Sequence, residues 1–382
     1  MQHVRERFGR YGAKPSAPVI WIHAVSVGET RAAAPLIEEL QRRHPGHRIL
    51  LTHMTPTGRA TGESLFGARV DRAYLPYDFP FAVARFLAHF EPVCGVLLET
   101  EIWPNLIHAC RARSLPLYLV NARMSEKSQR GYARFGRLTR ASLARLAGIA
   151  AQTTTDAKRL QSLGAPAVAV TGNLKFDFNP DPDLIARGRQ WRNEWGARQV
   201  LLCASTREGE EAQLVPLLAG AHLSGLLIII VPRHPQRFDE VAQLLERAAL
   251  KYQRRSTGTK VSADTRILLG DSMGEMFAYY AASDVAIIGG SLLPFGAQNL
   301  IESCAAGCPV VLGPHVFNFA DVVKLACEAG AAAQTPDTAG AVQTAVELLS
   351  DDSRRRAMSE SARAFARAHR GASERIADLL KF

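Results

Sequence analysis

Short apolar runs alternate with amphipathic segments from one end of this chain to the other, the pattern of parallel strands buried on both faces and joined by covering helices. In the first half the runs predict strands at residues 19–24, 49–52, 72–75, 95–98, 117–121, 148–151 and 167–170. Helical spacing predicts helices over 31–43, following a Gly-Glu turn and ending near Pro45, and over 79–89, ending before Pro92. The second half repeats the pattern, with strands at 200–204, 226–231, 266–269, 285–289 and 310–312. The expected class is α/β, with two Rossmann-like halves, because 382 residues exceed the usual size of a single core. Two prolines among acidic and polar residues at 176–182 favour an extended linker, and the boundary is expected near Gly172. The expected organisation is a domain over 1–172, a second over 173–351, and an Ala- and Arg-rich helical tail over 352–382 that crosses back to the first.

Composition narrows the function. A hydrophobic content of 47% with 21% charged residues fits a folded, soluble chain rather than a disordered one. The six cysteines are scattered, mostly in apolar segments, with no Cys-x-x-Cys pair, so they read as buried free thiols. No His, Asp or Glu cluster has metal-ligand spacing, and neither a metal nor a cofactor is expected. A net charge of +10 implies an acidic partner. Basic residues gather at Arg5, Arg7, Arg10 and Lys14, and again over 123–145, where Arg130, Arg134, Arg137 and Arg140 follow helical spacing among Tyr132, Phe135 and Leu138. That stretch reads either as a solvated helix face or as a surface for anionic lipid. With 7% aromatic residues and no stacking motif along a basic groove, nucleic acid is not an expected partner. No run approaches the ~18 apolar residues of a membrane span. Nor does the N-terminus carry a signal peptide's apolar stretch.

The densest chemistry lies at 287–302, where a buried strand runs into Gly289 and Gly290 and a helix then opens with Asn299 and Glu302. Gly289 and Gly290 let the backbone approach a phosphate closely, Ser291 beside them is a further binding candidate, and Glu302 can accept from ribose hydroxyls. Three more segments stand where strands should end: Ser205-Thr206-Arg207, Arg233-His234 and Met273-Gly274-Glu275-Met276. Arg233 and Arg207 suit an anionic ligand, with Ser205 and Thr206 offering hydroxyl and N–H groups. The segment 273–276 suits the wall of a base pocket. In the first half, Glu99 and Glu101 follow a strand, and their alternation predicts that they share one face with Thr100 on the other.

Taken in order, these motifs resemble one family, the 3-deoxy-D-manno-octulosonic acid (Kdo) transferases of lipopolysaccharide assembly. The resemblance rests also on Trp21-Ile22-His23-Ala24-Val25-Ser26-Val27-Gly28-Glu29, Glu99-Thr100-Glu101-Ile102-Trp103-Pro104-Asn105, Asn121-Ala122-Arg123-Met124-Ser125, Gly172-Asn173-Leu174-Lys175-Phe176-Asp177 and Gly313-Pro314-His315-Val316-Phe317-Asn318-Phe319. It implies the GT-B architecture, two Rossmann-like domains facing a central cleft, with acceptor bound by the first and CMP-Kdo by the second. The implied reaction moves Kdo from CMP-Kdo to the lipid A precursor with inversion, on the cytoplasmic face of the bacterial inner membrane. Members of the family typically begin with a membrane-anchoring helix. Residues 5–9 look like the stretch that follows such a helix, so peripheral attachment to an anionic surface is expected of this chain. Gln298 stands where many relatives carry histidine, so that position does not titrate.

The resemblance implies that Glu29 is the catalytic base; by position alone it also suits a helix N-terminus, complementing the dipole. Glu99 and Glu101 either position the acceptor or raise the pKa of Glu29, unless Glu101 only binds N–H groups at Trp103-Pro104. Lys175 and Arg123 are further candidates for substrate charge. The lone histidines His23, His53 and His315 read as structural. A GT-B epimerase of the UDP-N-acetylglucosamine type is the alternative enzyme, since it too needs a nucleotide pocket in the second half.

Overall fold

The computed structural model describes residues 3–178, 180–220 and 225–382. Asn179, within the expected linker, lies outside them. The chain forms two compact units, Met1–Phe178 with His369–Phe382, and Asn179–Ala368.

The first unit is built on seven strands: β1 (Val19–His23), β2 (Arg48–His53), β3 (Asp71–Tyr74), β4 (Cys94–Leu98), β5 (Leu117–Ala122), β6 (Gly148–Ala151) and β7 (Ala169–Val170). They are ordered β3-β2-β1-β4-β5-β6-β7 and every pairing is parallel. Trp21, Leu50, Leu97 and Leu119 point into one core with Phe86 and Ile107, while Ile20, Ile22, Leu51, Val96 and Val120 point into the other with Leu36 and Leu40. Burial on both faces explains why the strands read as continuous apolar runs.

The second unit repeats the plan with β8 (Val200–Thr206), β9 (Leu227–Pro232), β10 (Tyr252–Arg254), β11 (Ile267–Leu269), β12 (Val285–Ile288), β13 (Val310–Leu312) and β14 (Ala332–Gln334). The order is β10-β11-β9-β8-β12-β13-β14, again parallel. The sequence pattern missed the short edge strands β10 and β14.

Helices depart from expectation at two places that matter. The helix expected over 31–43 is two, Val27–Ala32 and Ala34–Arg43. Ser26 caps the first, accepting from the Glu29 N–H, and Pro35 removes an N–H at the start of the second. Glu29 therefore lies inside the first turn of a helix, not in a turn before it. The basic stretch also divides, into Glu126–Ala133 and Gly136–Leu143, with non-helical Phe135 between them.

The first unit runs on to Phe178, past Gly172, because Leu174 and Phe176 are buried in it and the Leu174 N–H donates to Asn121. Of the expected tail, the helix Asp352–Ala368 belongs to the second unit and packs on Ile301–Ala306. The helix Ala372–Leu379 belongs to the first, where Asp177 accepts from the Gly371, Ala372 and Ser373 N–H groups. All six cysteines are free, and all but half-buried Cys327 are buried.

Candidate active site

Each sheet reverses its strand order once, between β1 and β4 in the first unit and between β8 and β12 in the second. Open parallel sheets bind ligands beyond the carboxyl ends of their strands at such a reversal. Glu29 follows β1, and Glu99 and Glu101 follow β4. Ser205, Thr206 and Arg207 close and follow β8, and Gly290 follows β12.

In the first unit the chain assembles three carboxyl groups. Glu29 accepts from the Val25 N–H at 2.8 Å and the Ser26 hydroxyl at 2.9 Å, so its carboxylate closes back on the N-cap Ser26 and on the residue before it, which locks its rotamer. Both donors are neutral, and only 9% of the residue is exposed. Burial, reinforced by Glu99 and then Glu101, pushes its carboxyl up to about 7. Glu101 is raised above the ordinary carboxylate range by burial and by Glu99. It accepts from the indole N–H of Trp103 at 2.6 Å, a side-chain donor rather than the backbone groups considered from sequence. The expected alternation ends at Leu98: Glu99 adopts φ 58°, so the pair is set by a left-handed turn and not by strand geometry.

Around the carboxyls, Tyr132 donates to the Thr100 carbonyl at 3.1 Å, and the Thr100 hydroxyl donates to the Arg123 carbonyl at 2.5 Å. These bonds bring the loop carrying Arg123 to the acidic loop. His23 is fully buried, with Nδ1 3.1 Å from the Thr52 carbonyl and Nε2 3.9 Å from Glu101. Burial pushes the imidazoles of His23 and His53 down to about 3 and about 4, which leaves both neutral. Lys175 lies in the short turn Leu174–Phe176 of this unit, its N–H held by Asn173. The adjacency of Trp103, Tyr132 and His23 to the acidic loop has no periodic signal in the sequence.

In the second unit the candidates divide into side chains committed to the protein and others that border the reversal. Thr206 is buried and donates to Glu211 at 2.6 Å, and Glu211 pairs with Arg237 through two bonds of 2.8 and 2.9 Å. Ser291 is fully buried, donating to the Ile288 carbonyl and accepting from the Gly313 N–H. The Gly290 N–H, expected to face a phosphate, donates instead to Glu210 at 2.8 Å. Glu275 pairs with Arg187 at 2.8 Å and Arg255 at 3.0 Å, and is thereby occupied in holding its loop. In all four cases an internal partner takes the group that was expected to meet substrate.

Arg233 follows β9 and donates through Nε to Gln298 Oε1 at 3.2 Å. Arg207 reaches Glu208 at 2.8 Å and lies 4.3 Å from the centre of the Phe295 ring. Burial and then the neighbouring Arg207 and Arg233 charges lower the pKa of His234. Ser205 adopts φ 55°. Met273 is exposed, Gly274 adopts φ 80°, and Met276 opens the helix Met276–Ala282. Asn299 donates to Glu302 at 3.0 Å while its side-chain oxygen accepts from the Ile301 N–H.

Comparison with known proteins adds a family. Residues 2–178 match the family described as 3-Deoxy-D-manno-octulosonic-acid transferase (kdotransferase), and residues 246–365 match Glycosyl transferases group 1. A 3-deoxy-D-manno-octulosonic acid transferase of Bordetella pertussis is 50% identical over 98% of this chain and 90% of its own length. One from Haemophilus influenzae is 37% identical, over 100% of this chain and 91% of its own. Among solved structures, the UDP-GlcNAc 2-epimerase of Neisseria meningitidis bound to UDP-GlcNAc superposes with a TM-score of 0.63. At 15% identity, across 94% of this chain and 99% of that one, the likeness is one of fold. The expected α/β GT-B class is borne out.

Proposed function

The chain belongs to the 3-deoxy-D-manno-octulosonic acid transferase family of glycosyltransferases, and from that premise we propose that it moves Kdo from CMP-Kdo onto the lipid A precursor, with Glu29 as base. The observation that carries the reading is the Glu29 carboxyl itself, fixed by two neutral donors at the β1/β4 reversal and raised to about 7 beside two further acids. A sugar hydroxyl becomes a competent nucleophile as its proton leaves. A base acts best when its pKa lies near the working pH. Glu99 and Glu101 support the role by raising Glu29.

On the donor side, Arg233 and Arg207 meet the CMP phosphate and the Kdo carboxylate, stabilising charge as the phosphate departs. Ser205, His234, Met273, Gly274, Met276, Asn299 and Glu302 complete the nucleotide-binding set, Lys175 neutralises donor charge, and Arg123 is a further substrate-binding residue. Incubation with CMP-Kdo and lipid A precursor, followed by product mass, tests the reading. Mass gain by Kdo units that is lost in Glu29→Gln supports it. Turnover of UDP-N-acetylglucosamine with no Kdo product overturns it in favour of the epimerase.

We place the protein at the cytoplasmic face of the bacterial inner membrane, held peripherally through its basic surface. Among the described residues no helix is long and apolar enough to cross a membrane. Around the break between two helices, Phe135 is 69% and Leu138 52% exposed, with Arg130, Arg134 and Arg137 exposed beside them. Such a surface suits anionic lipid, at about 1 kcal/mol for each basic residue. Binding to anionic liposomes should fall with salt and with joint charge reversal of the three arginines. Sedimentation indifferent to both removes this surface from the reading.

A further inference from the structure

Glu210 opens the helix Glu210–Gly220 and is fully buried, yet among the described residues its hydrogen-bond donors are all backbone N–H groups. One carboxylate oxygen accepts from Arg207 at 2.8 Å and Gly290 at 2.8 Å; the other accepts from Leu292 at 3.0 Å and Leu293 at 3.3 Å. The first donor belongs to the loop after β8 and the other three to the loop after β12, so one side chain bridges the two sides of the reversal. Backbone strain marks both sides, at the irregularity near the end of β8 and within the loop after β12. Ser205 at φ 55° and Ala297 at φ 68° are non-glycine residues in the left-handed region, a state that persists only where the surroundings over-determine it. Further along the second loop, Gln298 accepts from Arg233.

We propose that Glu210 is the positioning residue of the nucleotide half: a built-in anion that fills the amide nest a phosphate would otherwise take and ties the two loops so that Ser205, Arg207 and Arg233, the last held by Gln298, keep their binding arrangement. The proposal rests on the reading that these residues serve the donor. It deepens that reading by a rule of specificity. The glycine loop shapes the site, and the donor's phosphate is met by guanidinium groups instead of by its amides.

The test compares Glu210→Gln, which turns an amide donor onto N–H groups, with Glu210→Asp, which keeps a shorter carboxylate. Backbone hydrogen exchange without ligand, CMP calorimetry and steady-state kinetics are read on each folded variant. In Glu210→Gln, exchange across 205–208 and 289–298 should accelerate about tenfold, and CMP affinity should fall about tenfold, the scale of losing charge-assisted hydrogen bonds. KM for CMP-Kdo should rise in step, with a smaller change in kcat, and Glu210→Asp should recover part of each loss. If Glu210→Gln does not fold, Glu210→Asp decides alone: accelerated exchange with weaker CMP binding supports the tie, and wild-type behaviour in both refutes it. Unchanged exchange in both segments overturns the proposal, as does a fall in kcat with unchanged KM and CMP affinity. Should the wild-type protein not bind CMP, the donor reading fails, while exchange still decides whether Glu210 ties the loops.

Discussion

In the proposed reading Glu29 does two jobs with one carboxylate, closing a helix cap and taking the acceptor's proton. Only its ionised form is a base, so kcat/KM should rise with pH through about 7 and level off above it. Glu29→Gln should abolish that acid limb and lower turnover by about 10²–10⁴-fold. A flat profile in the wild type would detach the base from this residue. A second residue-scale expectation concerns stability. Glu211 and Arg237 form a buried pair, 1% and 6% exposed, so Arg237→Met should strand a buried carboxylate and cost about 3–5 kcal/mol in chemical denaturation. Much at this scale was legible beforehand: the acids after β1 and β4 and the arginine after β9 stand at strand ends that the apolar runs mark. What escaped was Glu210. An internal carboxylate seated among loop amides leaves the same glycine-rich trace as a phosphate loop, and nothing local distinguishes the two occupants.

Among the elements, the interior strands were legible because burial on both faces makes them apolar throughout, whereas β10 reads Tyr-Gln-Arg and β14 Ala-Ala-Gln. Those edge strands are held by pairing with a neighbour rather than by an apolar signature. Breaks within helices were hidden for a related reason. Arg130, Arg134, Arg137 and Arg140 keep helical spacing across a kink, because spacing registers phase and not continuity. Packing between elements gives a further test. Gly188, in the helix Pro182–Trp195, faces the helix Met276–Ala282 so closely that a Cβ would meet the Ala278 carbonyl oxygen and the Ala281 Cβ, each at 2.6 Å. Alanine gains about 1 kcal/mol of helix propensity there, but forcing the helices apart costs about 1–3 kcal/mol. Gly188→Ala should therefore lower the denaturation midpoint of the second unit; a rise would mean the helices separate without loss.

At the scale of the molecule, two α/β units were legible from the repeated pattern, but the ownership of the tail was not, because its two helices are alike in composition and differ only in what they bury. Ala372, Ile376, Ala377 and Leu380 fill a core shared with Leu36, Leu40 and Ile49. Deleting residues 369–382 should expose that core and lower the unfolding transition of the first unit while leaving that of the second in place. Differential scanning calorimetry resolves the two outcomes, and an unchanged first transition would make the returning helix dispensable. The return also sets an order of birth. Residues 179–368 form an unbroken set, but the first unit, though begun earlier, lacks part of its core until the chain has been extended to residue 380. The half that carries Glu29 is thus the last to receive its whole sequence, and a released chain truncated before residue 372 should present a protease-resistant second unit beside a first unit that is still digestible.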